Sequence, residues 1–273
     1  MTMPWFSPGD DPGPNFPRLL EAMGLNATQV GPGEIEVPHA TTCVALTYAD
    51  GVVMAGDRRA TSGHLIAHRT MEKVVPADRY SGVAIAGAAG PAMEMIRLFQ
   101  LQLEHYEKVE GNPISLEGKA NQLSSMVRSN LGAALQGMVV IPLFAGYDTH
   151  RGLGRLYSYD VTGGRYEEKS YVATGSGSLH AGTVIKVGYR PEMTRDEAVA
   201  LAARSLWEAA DADSATGGPD ALRGIYPVVA SITAEGWNRL EDDELAALYR
   251  TIVDEVSSVT GTSGTGTEAG GAS

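Results

Sequence analysis

The sequence predicts an α+β fold in four layers: two mostly antiparallel sheets packed face to face, with helices covering both outer faces. Three observations point there. Strand-like and helix-like runs come in blocks rather than in the strict alternation of a parallel doubly wound sheet. The strand-like runs are short and follow one another closely, which suits hairpins. The 273 residues are 43% hydrophobic, enough for one sizeable core and long for two.

Residues 1–40 carry seven of the fourteen prolines and no lysine, and contain one short helical pattern, FPRLLEAMGL at 16–25. They read as a poorly ordered leader. TTCVALTY and GVVMAGD follow as two strands joined through ADG, where glycine suits a hairpin turn with positive φ. HLIAH and KVVPA are short extended pieces, and YSGVAIAGAAG is an apolar run closing on small residues. Two helices come next, with apolar repeats at Met95, Leu98, Leu101 and Leu103, then at Leu123, Met126 and Leu131. Strands return in VVIPLFAGYD, GRLYSYDV and SYVATG. Helices are expected near 178–188 and 194–212, then a strand in YPVVASITA and a last helix in EDDELAALYRTIVDEV. The Gly-, Ser- and Thr-rich residues 257–273 read as a flexible tail, leaving 41–256 as the folded body.

Composition removes several function classes. A net charge of -12 repels phosphate backbones and argues against nucleic-acid binding. No run approaches the ~20 apolar residues of a membrane span, and no basic-then-apolar secretory signal opens the chain, so a cytoplasmic location is expected. The single cysteine, Cys43, excludes a disulfide framework within the chain and reads as a small core residue. No phosphate-binding glycine loop or nucleophile elbow occurs. His64 and His68 have helical spacing in a turn context without a metalloprotease's glutamate, so neither a metal nor another cofactor is expected.

What remains is a register counted from Thr41: Asp57 lies 16 residues on, Lys73 32 and Gly87 46. With TTCVALTYADGVVMAGDRRAT, KVVPADRYSGVAIAGAAG, LQLEHYEK, MVRSNLGAALQG, ATGSGS and DADSATGGPDALRGIYP, the chain resembles the proteasome β-subunit family across residues 41–256, and most closely its actinobacterial members. The resemblance implies the N-terminal-nucleophile hydrolase fold, a propeptide spanning 1–40, and self-cleavage between Ala40 and Thr41.

Chemistry supports that assignment. A threonine hydroxyl is a weak nucleophile that needs an adjacent base. A freed α-amine, with a reference pKa of about 7.7–8, is partly neutral near pH 7 and lies within reach of its own Oγ. Lys73, one of five lysines, would lower the amine and hydroxyl pKa values by its charge and would need a carboxylate, for which Asp57 is the match. Arg59, two residues beyond Asp57 on an extended segment, belongs by resemblance to the network that fixes it, which leaves Arg58 as a solvated charge. Gly87 matches the oxyanion-binding N–H, and Ser176, Asp213 and Thr216 match the family's second polar cluster. Read without the resemblance, those stretches are ordinary Gly/Ser/Thr loops. Ala60, Thr61, Met71, Val75, Ile85, Ala89 and Met93 fall where the family lines its S1 pocket, implying an apolar P1 preference.

The resemblance further implies a seven-membered β ring, homomeric or mixed, stacked on a second β ring and on α-subunit rings. A regulatory ATPase ring would act through the α rings on substrates tagged with a small ubiquitin-like protein. One residue departs from the pattern: Ala40 stands where the family usually has glycine. A noncatalytic or unprocessed structural β subunit is therefore one alternative. The bacterial two-component ATP-dependent threonine peptidase is another, sharing the Thr-Thr start but lacking the HYEK and DSATGG regions.

Overall fold

The computed structural model describes residues 41–260, so the helical pattern at 16–25, the Ala40 side of the junction and the chain beyond 260 lie outside the described residues. The first sheet is built from β1 (Thr42–Tyr48), β2 (Gly51–Gly56), β10 (Tyr171–Gly175), β11 (Val228–Thr233) and β12 (Gly236–Arg239), in the order β10-β1-β2-β11-β12. The second contains β5 (Val74–Asp78), β6 (Ser81–Gly87), β7 (Val140–Asp148), β8 (Leu153–Tyr159) and β9 (Arg165–Glu168) in chain order. A separate hairpin pairs β3 (Ala60–Ser62) with β4 (Leu65–His68). Among the described residues every ladder is antiparallel, as the blocked order of elements predicts.

Period-2 alternation in strands buried on both faces produces the layers. In β1, Cys43 and Ala45 face the second sheet and pack with Met54, Val74, Leu143 and Leu156. Val44 and Leu46 point the other way, onto α4 (Ser178–Gly188) and α5 (Arg195–Ala212), against which α6 (Asp242–Thr260) packs in turn; Ile185, Leu206 and Ile252 belong to the same core. The outer face of the second sheet offers Val83, Ile85, Phe144 and Tyr157 to α1 (Ala89–Glu110) and α2 (Leu116–Ser129). Helix ends carry local signals: Gly111 closes α1 at φ 72°, and Thr194 and Glu197 form a reciprocal capping box on α5. None of the described helices is long and apolar enough to cross a membrane.

Several details differ from the sequence expectation. The buried stripe of α1 is Ala92, Met95, Ile96, Phe99 and Leu103, whereas Leu98 and Leu101 are 46% and 61% exposed. Met95 and Leu103 are buried as expected, but both faces of that helix are apolar enough for periodicity to add the exposed Leu98 and Leu101 to them. The next helix ends at Ser129, and Leu131 opens a separate single turn, α3 (Leu131–Ala134). Gly51 belongs to β2 rather than to a positive-φ turn; a Cβ there would lie 2.1 Å from the Ile232 carbonyl oxygen, so close approach explains the glycine. The last helix continues to Thr260, four residues into the stretch read as tail. The short, polar β9 and β12 carry too little periodic signal to be predicted.

Candidate active site

The candidate residues sit where strands end. Thr41 precedes β1, Asp57 follows β2, Lys73 precedes β5 and Gly87 closes β6, so the two facing sheets bring them to one edge. Thr41 is 4% exposed, Asp57 fully buried and Lys73 1% exposed. A carboxylate in such a place needs donors, and Asp57 has four. Its Oδ1 accepts from the Thr42 N–H at 2.9 Å and from Lys73 Nζ at 2.7 Å. Its Oδ2 accepts from the N–H groups of Arg59 and Gly217, both at 2.9 Å. Lys73 Nζ also donates to the Arg59 carbonyl. The ion pair is thus compensated on both sides, and its carboxylate is tied to the residue that follows Thr41.

Arg59 acts largely through its backbone, and its guanidinium donates to the Ser214 carbonyl at 2.8 Å, tying the Asp57 turn to the 213–217 loop. Arg58 is not the solvated charge expected: its side chain is 15% exposed, donates to the Thr70 carbonyl at 3.2 Å and lies 3.9 Å from Glu72. The chain is not in a strand at 57–59, so simple alternation does not place either side chain.

A second polar cluster flanks Thr41. Ser176 Oγ donates to Asp213 Oδ2 at 2.5 Å and approaches the Thr41 carbonyl at 3.4 Å, while Thr216 Oγ1 donates to the same Asp213 oxygen at 2.6 Å. Burial opposes ionisation of Asp213, but these hydroxyls and the Ala215 N–H more than offset it and hold the carboxyl below the ordinary carboxylate value. Gly175, at φ 98°, lets the chain close on Thr41, since a Cβ there would lie 1.8 Å from the Thr41 carbonyl oxygen. Burial pushes the Cys43 thiol up to about 12, which keeps it a neutral core group beside the ion pair.

Thr41, Lys73 and Gly87 open onto a cavity of about 170 Å³. Five of the seven residues expected to line the specificity pocket line it: Ala60, Thr61, Met71, Ile85 and Ala89. Val75 and Met93 are not among the lining residues; they pack against the core beneath α1. Ser62, Ala67 and His68, contributed by the hairpin, complete the lining and carry no sequence signal of that role. Gly87 adopts φ 115°, and a Cβ there would lie 2.1 Å from the Val139 carbonyl oxygen, so both conformation and space demand glycine. Larger grooves run along the outer helices, such as one of about 410 Å³ between α1 and α2, but they hold no comparable nucleophile and ion pair. Among the described residues, no group of three or more His, Cys, Asp or Glu is placed to hold a metal ion.

Residues 37–222 match the family described as proteasome subunit. A protein named proteasome subunit beta from Acidimicrobium ferrooxidans is 57% identical over 248 residues, covering 90% of this chain and 91% of its own. Another of that name, from Streptomyces griseus, is 58% identical over 222 residues, covering 81% and 79%.

Proposed function

Because the chain belongs to the proteasome subunit family as a β subunit of the 20S core, we propose that it is a threonine endopeptidase activated by loss of its leader. The observation that carries this reading is the buried Lys73–Asp57 pair, bound through Asp57 to the Thr42 N–H beside an apolar cavity that Thr41 also lines.

Cleavage of the Ala40–Thr41 bond starts with attack of Thr41 Oγ on the Ala40 carbonyl carbon. The C–N bond breaks, the Thr41 nitrogen takes up a proton, and an ester forms on Oγ. Water then hydrolyses the ester, releasing the leader as a carboxylate. The working enzyme repeats this chemistry on peptides. The freed amine accepts the Oγ proton as the hydroxyl attacks the scissile carbonyl, then returns it to the leaving nitrogen. Gly87 N–H stabilises the oxyanion, and the nearby Lys73 charge favours the neutral amine by lowering its pKa. Ser176, Asp213 and Thr216 orient the amine and relay protons through water. Ala40, where the family usually has glycine, makes the first step the more demanding one.

No carboxylate is among the residues lining the cavity, and of its two titratable groups, His68 and Lys73, the ammonium is already paired with Asp57, so an apolar P1 residue is favoured over a charged one. The β subunits form core rings; on this reading the ring is seven-membered, pairs with a second β ring, and is capped by α rings. Through these an ATPase ring delivers substrates carrying a small ubiquitin-like tag. Assembled particles should cleave fluorogenic peptides with Leu or Tyr at P1 faster than those with Arg or Glu. Fastest cleavage after Arg removes the pocket assignment, and an intact leader on inactive particles favours a noncatalytic structural subunit.

A further inference from the structure

Thr42, the residue after the nucleophile, has a hydroxyl that the mechanism above does not use. It is fully buried and lies 2.5 Å from Thr216 Oγ1. The Gly177 N–H donates to it at 3.0 Å. Proton direction follows from the partners. Gly177 N–H can only donate, and Thr216 Oγ1 donates to the Asp213 carboxylate, so the Thr42 hydroxyl must donate to Thr216. The result is one polarised chain, Gly177 N–H to Thr42 to Thr216 to Asp213, ending on the oxygen that also holds Ser176.

A second observation supports a built arrangement. A Cβ on Gly177 would lie 2.4 Å from Thr42 Oγ1 and 2.7 Å from Thr216 Oγ1. The loop approaches the hydroxyl pair so closely that any side chain would displace it. The 213–217 loop is also the one whose Gly217 N–H holds Asp57. Thr42 therefore joins both polar clusters: its N–H binds Asp57, and its hydroxyl binds the loop carrying Asp213.

We infer that Thr42 is a positioning residue of the peptidase reaction, its hydroxyl setting the geometry of the Ser176–Asp213–Thr216 cluster around the nucleophile. The inference rests on the function proposed above. Valine matches threonine in shape but can neither accept from Gly177 nor donate to Thr216. Serine can do both.

The test uses assembled particles, with active sites counted by a covalent threonine-directed probe. Thr42→Val should lower kcat about 10- to 100-fold with KM changed less than about threefold, since misplacing reacting groups by around an ångström costs up to about 10²-fold. Thr42→Ser should recover activity to within about threefold of the parent. The acid loss of stability should begin at higher pH in the valine variant than in the parent, because a less polarised Thr216 stabilises the Asp213 carboxylate less. Gly177→Ala should reproduce the valine phenotype. A merely structural hydroxyl would reduce the yield of particles and leave kcat per probe-labelled site unchanged, which would overturn the inference alone. A parent particle with a mature Thr41 end but no peptidase activity would overturn the functional reading, and this inference with it.

Discussion

Breaking the Lys73–Asp57 pair should separate its structural role from its chemical one. In Lys73→Met, Asp57 remains fully buried with only its three backbone donors, from Thr42, Arg59 and Gly217. Removing one member of a buried pair costs about 3–5 kcal/mol. For a folded body of this size that lowers Tm by about 6–20 °C. Asp57→Asn should do comparable damage, because it strands the ammonium and points an amide donor at backbone N–H groups. The double variant Asp57→Asn/Lys73→Met removes both charges and should regain much of the lost Tm, since neutral replacement of a buried pair is often near neutral. Activity should not return with it. Without the cation the amine and hydroxyl lose the charge that lowers their pKa values, so all three variants should show kcat/KM down by at least about 10²-fold. Calorimetry and peptide hydrolysis on the same assembled samples provide the two readouts. A double variant that regains both stability and activity would refute the chemical role of Lys73; single variants with an unchanged Tm would refute the energetics.

Four further outcomes follow from the geometry. Gly87→Ala introduces a Cβ 2.1 Å from the Val139 oxygen at φ 115°, costing about 1–3 kcal/mol in backbone strain alone; thermal unfolding should show the loss and peptide hydrolysis should fall with it. Ala89→Phe fills part of the cavity and should lower kcat/KM for Tyr at P1 relative to Ala at P1 by at least about tenfold; an unchanged ratio means P1 binds elsewhere. Asp213 is held below its ordinary value of 3.8, so it contributes stability that is complete above that pH and disappears as pH falls through the lower folded-state value. The Tm gap between the parent and Asp213→Asn should accordingly close under strong acid, and a gap that widens there would contradict the assignment. Cys43, fully buried with its thiol at about 12, should react with iodoacetamide only after unfolding, whereas native labelling at the unfolded rate would contradict its burial.

The buried ion pair and the threonine beside it are more legible in the sequence than the walls of the cavity. Thr41, Asp57 and Lys73 are legible because each stands where a strand begins or ends, and the spacing of successive strands survives in the chain. The layers are legible too, since a run such as TCVALTY, buried on both faces, can only sit between a sheet and helices. The periodicity of α1 identifies Met95 and Leu103 as core but cannot separate them from Leu98 and Leu101, which are as apolar and face outward. Val75 and Met93 pack against the core beneath α1 instead of lining the cavity, which a register counted from Thr41 does not encode. The Thr42–Thr216 contact joins residues 174 positions apart, so nothing local announces it. Read in isolation, a β-branched pair opening a strand implies packing alone.

The central claim is that Thr41 becomes the first residue of the working subunit by its own chemistry. Intact mass and N-terminal sequencing of assembled particles test it directly, with Thr41→Ala as the control. The parent should begin at Thr41, and the variant should keep residues 1–40 and cleave no peptide. A variant trimmed at Ala40 as efficiently as the parent, or a parent that hydrolyses peptides with its leader still attached, would contradict the account.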